Sequence, residues 1–183
     1  VLEELLCRGL LFRITEKALG SWAALVISAL LFGGAHLPGA GAGFLAVAVA
    51  VLAGAFFAAA YMFTRRLWLC IGIHVAWNYT LGTVFSVAVS GRESRGWVEG
   101  TLRGPGWLTG GAYGLEASVL TLIVLLLGGG LLLRAAARAG SVRPHPRRES
   151  PARLVPGESE PSRTCRPELR RPAPALAAGH YSP

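Results

Sequence analysis

Apolar residues along this chain do not alternate with polar ones; they gather into long runs parted by short polar or glycine-rich breaks. Residues 21–37, 43–63, 67–90 and 114–133 form four such runs. Each approaches the roughly 20 residues that an α-helix needs to cross a bilayer. A shorter helix-like stretch, 1–19, precedes them, apolar except for Glu3, Glu4, Arg8, Arg13, Glu16 and Lys17. Ser21 is placed to cap the first run, which Pro38 and a Gly-Ala loop end. Arg65-Arg66 close the second run. Residues 91–113 are polar and glycine-rich, with Trp97 and Trp107 suited to a membrane–water interface. The Gly and Ala of 39–60 allow close helix approach. The pattern predicts an all-α fold over residues 1–133, a polytopic transmembrane bundle with about four to five membrane helices.

The text changes at Arg134. Nine of the eleven prolines lie beyond it, among Ser, Arg and Glu. Such a segment buries too little apolar surface to offset its ordering entropy, so 134–183 is predicted to be a disordered tail. The chain begins at Val1, already inside an apolar helical pattern, and is expected to lack upstream segments.

Composition supports a membrane protein: 52% of the residues are apolar, 15% are charged, and mean hydropathy is +0.48. Of the net charge of +8, the tail carries +6, with ten basic residues against four acids. This charge run reads as a solvated cytoplasmic extension, not a nucleic-acid-binding surface. The same basic tail and Arg65-Arg66 point to the cytoplasm by the positive-inside rule. Cys7, Cys70 and Cys165 are odd in number and scattered, with no CxxC motif, which excludes a disulfide framework.

Candidate chemistry lies where ionisable groups interrupt the apolar text, because each such group in hydrocarbon is costly. If 1–36 is an antiparallel hairpin turning near residues 19–21, Glu3 and His36 each lie about 25 Å from the turn, at matching depth. Glu4 and Arg8 stand at i, i+4 with the acid first, the better order for an ion pair. His74 and Asn78, also i, i+4, share one face of a later helix. A desolvated carboxylate beside an imidazole can activate water, and a second imidazole with an amide can stabilise an oxyanion. Glu3, His36 and His74 are equally a set that can ligate Zn²⁺ with water in the open position. The spacing leaves both routes open, and HExxH is absent. Cys70, at i−4 from His74, offers a thiol nucleophile but leaves Glu3, Glu4 and His36 unexplained. Arg13, Glu16 and Lys17 read as a solvated turn, and Phe32 as packing.

Taken in order, Glu3-Glu4-x-x-x-Arg8, Phe32-x-x-x-His36 and His74-x-x-x-Asn78, each in an apolar segment, resemble the motifs of the CPBP family. These are the CAAX prenyl protease and bacteriocin-processing intramembrane proteases, also called the Abi family. The resemblance covers roughly residues 1–90. It implies an intramembrane endopeptidase, glutamate-type or metal-dependent, acting on a membrane-associated substrate such as a prenylated CAAX-type or bacteriocin-type peptide. It further implies that Glu3 and His36 hold the water, that His74 and Asn78 support the oxyanion, and that Glu4–Arg8 brace the first helix. The expected setting is the membrane of a bacterial cell. The rival reading is a non-enzymatic polytopic membrane protein, a scaffold or a proton or ion relay, using the same buried cluster.

Overall fold

The computed structural model describes residues 1–38 and 43–145. Among the described residues, five principal helices carry the fold. The first, α1, is a continuous run of Leu2–Glu4, the wider π-helical turns of Leu5–Phe12, and Arg13–Leu19. It is followed by α2 (Ser21–Ala35), α3 (Phe44–Thr64), α4 (Leu67–Asn78, extended by π-helical turns over Tyr79–Val84) and α5 (Val119–Arg138). No strand forms among the described residues beyond an isolated bridge between Val89 and Arg92.

The core sits around α3, which packs against both α2 and α5. Phe12, Phe32, Phe57, Tyr61 and Met62 fill it. Small residues set the spacing. A β-carbon built on Gly54 of α3 would stand 2.8 Å from the Ala29 Cα, and one on Gly33 of α2 would meet the Val51 side chain and backbone. The two backbones therefore approach more closely than larger residues would permit.

The outer faces stay apolar. Leu2, Leu6, Leu10 and Ile14 form an exposed i, i+4 stripe on α1, and Trp22, Val26 and Leu30 do so on α2. On α5, Leu127 and Leu131 face outward. Contiguous apolar faces of this kind are uncommon on water-soluble monomers and natural against lipid.

Two helices, Phe44–Thr64 and Val119–Arg138, are long and apolar enough to cross a membrane, fewer than the about four to five expected. The first run yields only the 15 residues of α2. The third run spans 67–90, but regular helix ends at Asn78 and helical geometry at Val84. Ser86 and Ser90 then take positive φ, and the chain folds back so that Trp97, Val98 and Gly100 donate backbone N–H bonds to the carbonyls of Thr83, Val84 and Phe85. Those bonds satisfy the carbonyls that a longer helix would have used.

Three other expectations change. Ser21 does not cap α2; Gly20 does, at φ +83°, while the Ser21 hydroxyl donates to Glu16 at 2.5 Å. Glu16 is not on a solvated turn. It is buried, and besides the Ser21 hydroxyl it accepts two bonds from Arg65 Nη1, at 2.8 and 2.6 Å, with Arg143 Nη1 a further 3.8 Å from Oε2. Helix α5 runs past residue 134 to Arg138, and the chain beyond it pairs Arg143 with Ser21 through Ser21 N–H to Arg143 O and Arg143 N–H to Ser21 Oγ. The remainder of the tail expected to be disordered, 146–183, lies outside the described residues, as does Cys165.

Candidate active site

Helix α1 brings two carboxylates and a guanidinium to one place. With i→i+5 bonding a turn holds more than four residues, so Arg8 comes to lie nearly in line with Glu4. Arg8 Nη1 donates to Glu4 Oε1 at 3.0 Å, and both side chains are fully buried. The other arm of the guanidinium, Nη2, donates to the Gly54 carbonyl at 2.6 Å. Phe32 and Phe57 lie 4.7 and 5.3 Å from its central carbon, a cation–π clamp on a charge removed from solvent. The absent side chain of Gly54 is what lets α2 close over this bond.

His74 reaches the same carboxylates from α4. Its Nδ1 stands 2.9 Å from Glu4 Oε1 and its Nε2 3.6 Å from Glu3 Oε2. An ionised carboxylate only accepts hydrogen bonds, so the Nδ1 proton is donated to Glu4. Nε2 then meets Glu3 favourably only with a proton between them. The imidazole stacks on Phe57 at 4.9 Å, which fixes its plane. Glu3 differs from Glu4 in being more than half exposed, at 57%.

His36 closes the end of α2. Its Nδ1 lies 2.7 Å from the Phe32 carbonyl, so that nitrogen donates and Nε2 carries the lone pair in the neutral ring. The Phe32 ring stands between the two imidazoles, 4.6 Å from His36 and 6.1 Å from His74. Phe32 thus packs, as expected, against both histidines and the arginine.

A cavity of about 170 Å³ joins these elements. His36, His74 and Asn78 line it; Ala46, Ala50 and Phe57 of α3 form an apolar wall. Glu3, Glu4 and Arg8 lie outside the lining, beyond His74. Cys70 is also elsewhere. Its thiol is buried and donates to the Phe57 carbonyl at 3.3 Å, so the proposed thiol line with His74 and Asn78 does not face the cavity.

Glu116 also lines the cavity; it is the single charge in the apolar run 114–133, though its contacts lie far off in the chain. It lies in the short helical turn Leu115–Ala117, at the start of the run expected to be the fourth membrane helix. Its carboxylate accepts from Trp77 Nε1 at 2.9 Å, from the Ser90 N–H at 2.5 Å and from the Ser90 hydroxyl at 3.1 Å. Trp77 sits between His74 and Asn78 on α4, so Glu116 ties that helix to the loop and to the start of α5. Burial pushes the neighbouring Tyr113 phenol above its ordinary range.

The zinc set is not assembled. Glu3 and His74 approach each other, but His36 stands across the Phe32 ring, and no group of three His, Cys, Asp or Glu side chains among the described residues is placed to hold a metal ion.

No curated protein and no solved structure matches the chain. One family model does. That of the type II CAAX prenyl endopeptidase Rce1-like family matches residues 1–80, the part that carries Glu3, Glu4, Arg8, His36, His74 and Asn78. Residues 1–80 of this apolar chain are thus similar to the CAAX prenyl endopeptidases of the CPBP family of intramembrane proteases.

Proposed function

We propose that the chain hydrolyses a peptide bond of a membrane-associated, lipidated peptide of the CAAX type, using a water activated by carboxylate and imidazole. The observation that carries this reading is the single imidazole of His74 set between two carboxylates of unlike character, Glu4 buried and Arg8-paired, Glu3 open. Glu4 and Arg8 hold the ring through Nδ1. Glu3, open beside His74, is the group free to take a proton from water, and His36, across the Phe32 ring, presents an Nε2 lone pair to the cavity that would receive the peptide. Attack on the scissile carbonyl develops an oxyanion. His74, as the protonated partner of Glu3, and the Asn78 amide one turn along α4 donate to it. The proton held by Glu3 then passes to the leaving amine. A bacteriocin-type leader would meet the same groups; the apolar α3 wall favours a substrate with a lipid or strongly apolar flank.

The basic end of the bundle carries Arg13, Lys17, Arg66, Arg134 and Arg138, all exposed, which supports placing that end in the cytoplasm. A bacterial cell membrane rests on the family resemblance alone.

The test is cleavage of a farnesylated C-terminal peptide by the full-length protein in proteoliposomes. Glu3→Gln is expected to lower turnover by about 10²–10⁴-fold, the range of a lost general base, with insertion unchanged. Because the zinc donors are not gathered, turnover is expected to persist with a zinc chelator. Cleavage retained in Glu3→Gln would refute the reading. Proton flux lost in that variant, with no cleavage by the wild type, would establish the relay instead.

A further inference from the structure

Helix α4 has two working faces. One carries His74, Trp77 and Asn78 into the cavity. The other, with the end of α3, lines a separate open groove that the chemistry above does not use. Phe63, Trp68, Ile73 and Ala76 line it, with the bare backbone of Gly72 as its floor and Arg66, at the N-cap of α4, first along that helix among its lining. Trp68, Gly72 and Ala76 recur at i, i+4 and i+8, so the groove follows the helix for about 15 Å from Arg66.

Three observations identify what fits there. The first is the floor. A β-carbon on Gly72 would meet nothing within 4 Å, so the absent side chain leaves space that the protein does not fill. The second is the contrast between adjacent arginines. Arg65 is consumed by buried Glu16, whereas the Arg66 guanidinium pairs with no carboxylate among the described residues and is exposed. The third is the setting. Trp68, largely exposed in the first turn of α4, is an interfacial anchor, and the exposed Arg13, Lys17, Arg134 and Arg138 share this end of the bundle. An apolar channel leading from a cation at the level of an interfacial tryptophan has the chemistry of a phospholipid: one acyl chain in the channel, a phosphate on the arginine. The surrounding positive charge disfavours a headgroup bearing its own ammonium.

We propose that this groove binds one anionic phospholipid, its acyl chain laid along Trp68, Gly72 and Ala76 and its phosphate on Arg66. The site does not rest on the peptidase reading, since it contains none of the motif residues and shares only Ile73 with the cavity.

The experiment is native mass spectrometry of the full chain, equilibrated in detergent with equimolar phosphatidylglycerol and phosphatidylcholine. The wild type is expected to retain one phosphatidylglycerol in preference to phosphatidylcholine. Arg66→Gln should lower that retention about fivefold, the effect of one basic residue at an anionic surface. Gly72→Leu, whose β-carbon meets no protein atom within 4 Å, should lower it as far or further. Arg134→Gln, on the same basic end but outside the groove, should leave it unchanged. Equal retention of the two lipids, wild-type retention in both groove variants, or an equal loss in Arg134→Gln would each overturn the proposal. So would displacement of the bound phosphatidylglycerol by a farnesylated peptide, which would make the groove a substrate site. Wild-type thermal midpoints in the groove variants separate loss of the lipid from loss of the fold.

Discussion

Glu3 and Glu4 are adjacent in the chain and opposite in surroundings. Glu4 is fully buried, with Oε1 shared by Arg8 and His74 and Oε2 without a hydrogen-bond partner, while Glu3 is largely open. Loss of charge at the two positions should therefore separate stability from chemistry. Glu4→Gln leaves the Arg8 guanidinium buried and unpaired, a loss expected to cost about 3–5 kcal/mol, read as a large fall in thermal midpoint in detergent. Glu3→Gln should leave that midpoint near wild type while removing turnover. The reverse pattern would mean that Glu3 is the structural member of the pair. This contrast was half legible in the sequence. The i, i+4 spacing of Glu4 and Arg8 announces their bond, because both partners lie on one helix. Glu16 and Glu116 were not legible. Arg65 stands 49 residues from Glu16, and Trp77 stands 39 from Glu116, so no local spacing records either contact. Arg13 and Lys17 beside Glu16 gave it the look of a solvated turn.

Among the elements, α2 and α3 depend on having no side chain at two crossing points. Gly54→Leu places carbon within 3 Å of the Ala29 backbone and must push the helices apart, which carries the Gly54 carbonyl away from Arg8. Overpacking of this kind is expected to cost about 1–3 kcal/mol, with turnover falling because the brace on Glu4 loosens. Gly34, beside Gly33 but with open space at its β-carbon, provides the control. Gly34→Ala should stabilise by about 0.5–1 kcal/mol through helix propensity. Chemical denaturation of the two variants checks both signs. The close packing was visible as a Gly- and Ala-rich text. Span lengths were not, because hydropathy reports burial and helix length is set by where the carbonyls find partners. Residues 85–90 are apolar enough to continue α4, yet residues 97–100 return to bond the last carbonyls, and Ser86 and Ser90 take φ values that no helix allows.

For the whole molecule, two long-range carboxylate nodes fasten opposite ends, and they serve different purposes. At the basic end, Glu16 joins α1, α2 through Ser21, and α3 through Arg65, while Arg65 also donates to the Ser141 carbonyl beyond α5. At the other end, Glu116 fastens Trp77 and Ser90 around the cavity, between the helix that carries His74 and Asn78 and the loop that covers it. The first node has no path to the cavity except through the length of the helices. Arg65→Gly keeps the left-handed backbone that this position adopts, at φ 57°, but leaves buried Glu16 only the Ser21 hydroxyl and the more distant, exposed Arg143 guanidinium. It should lose on the order of 3 kcal/mol of stability, with KM and turnover of the folded fraction unchanged at low temperature. The second node borders the substrate. Glu116→Ala frees the indole of Trp77 and the Ser90 turn together, so KM should rise severalfold while the thermal midpoint moves less than in Arg65→Gly. Trp77→Phe, which removes only the indole N–H, should reproduce part of that rise. If Glu116→Ala instead melts the protein as readily as Arg65→Gly and leaves KM untouched, Glu116 is a fastening of the fold and has no part in shaping the cavity.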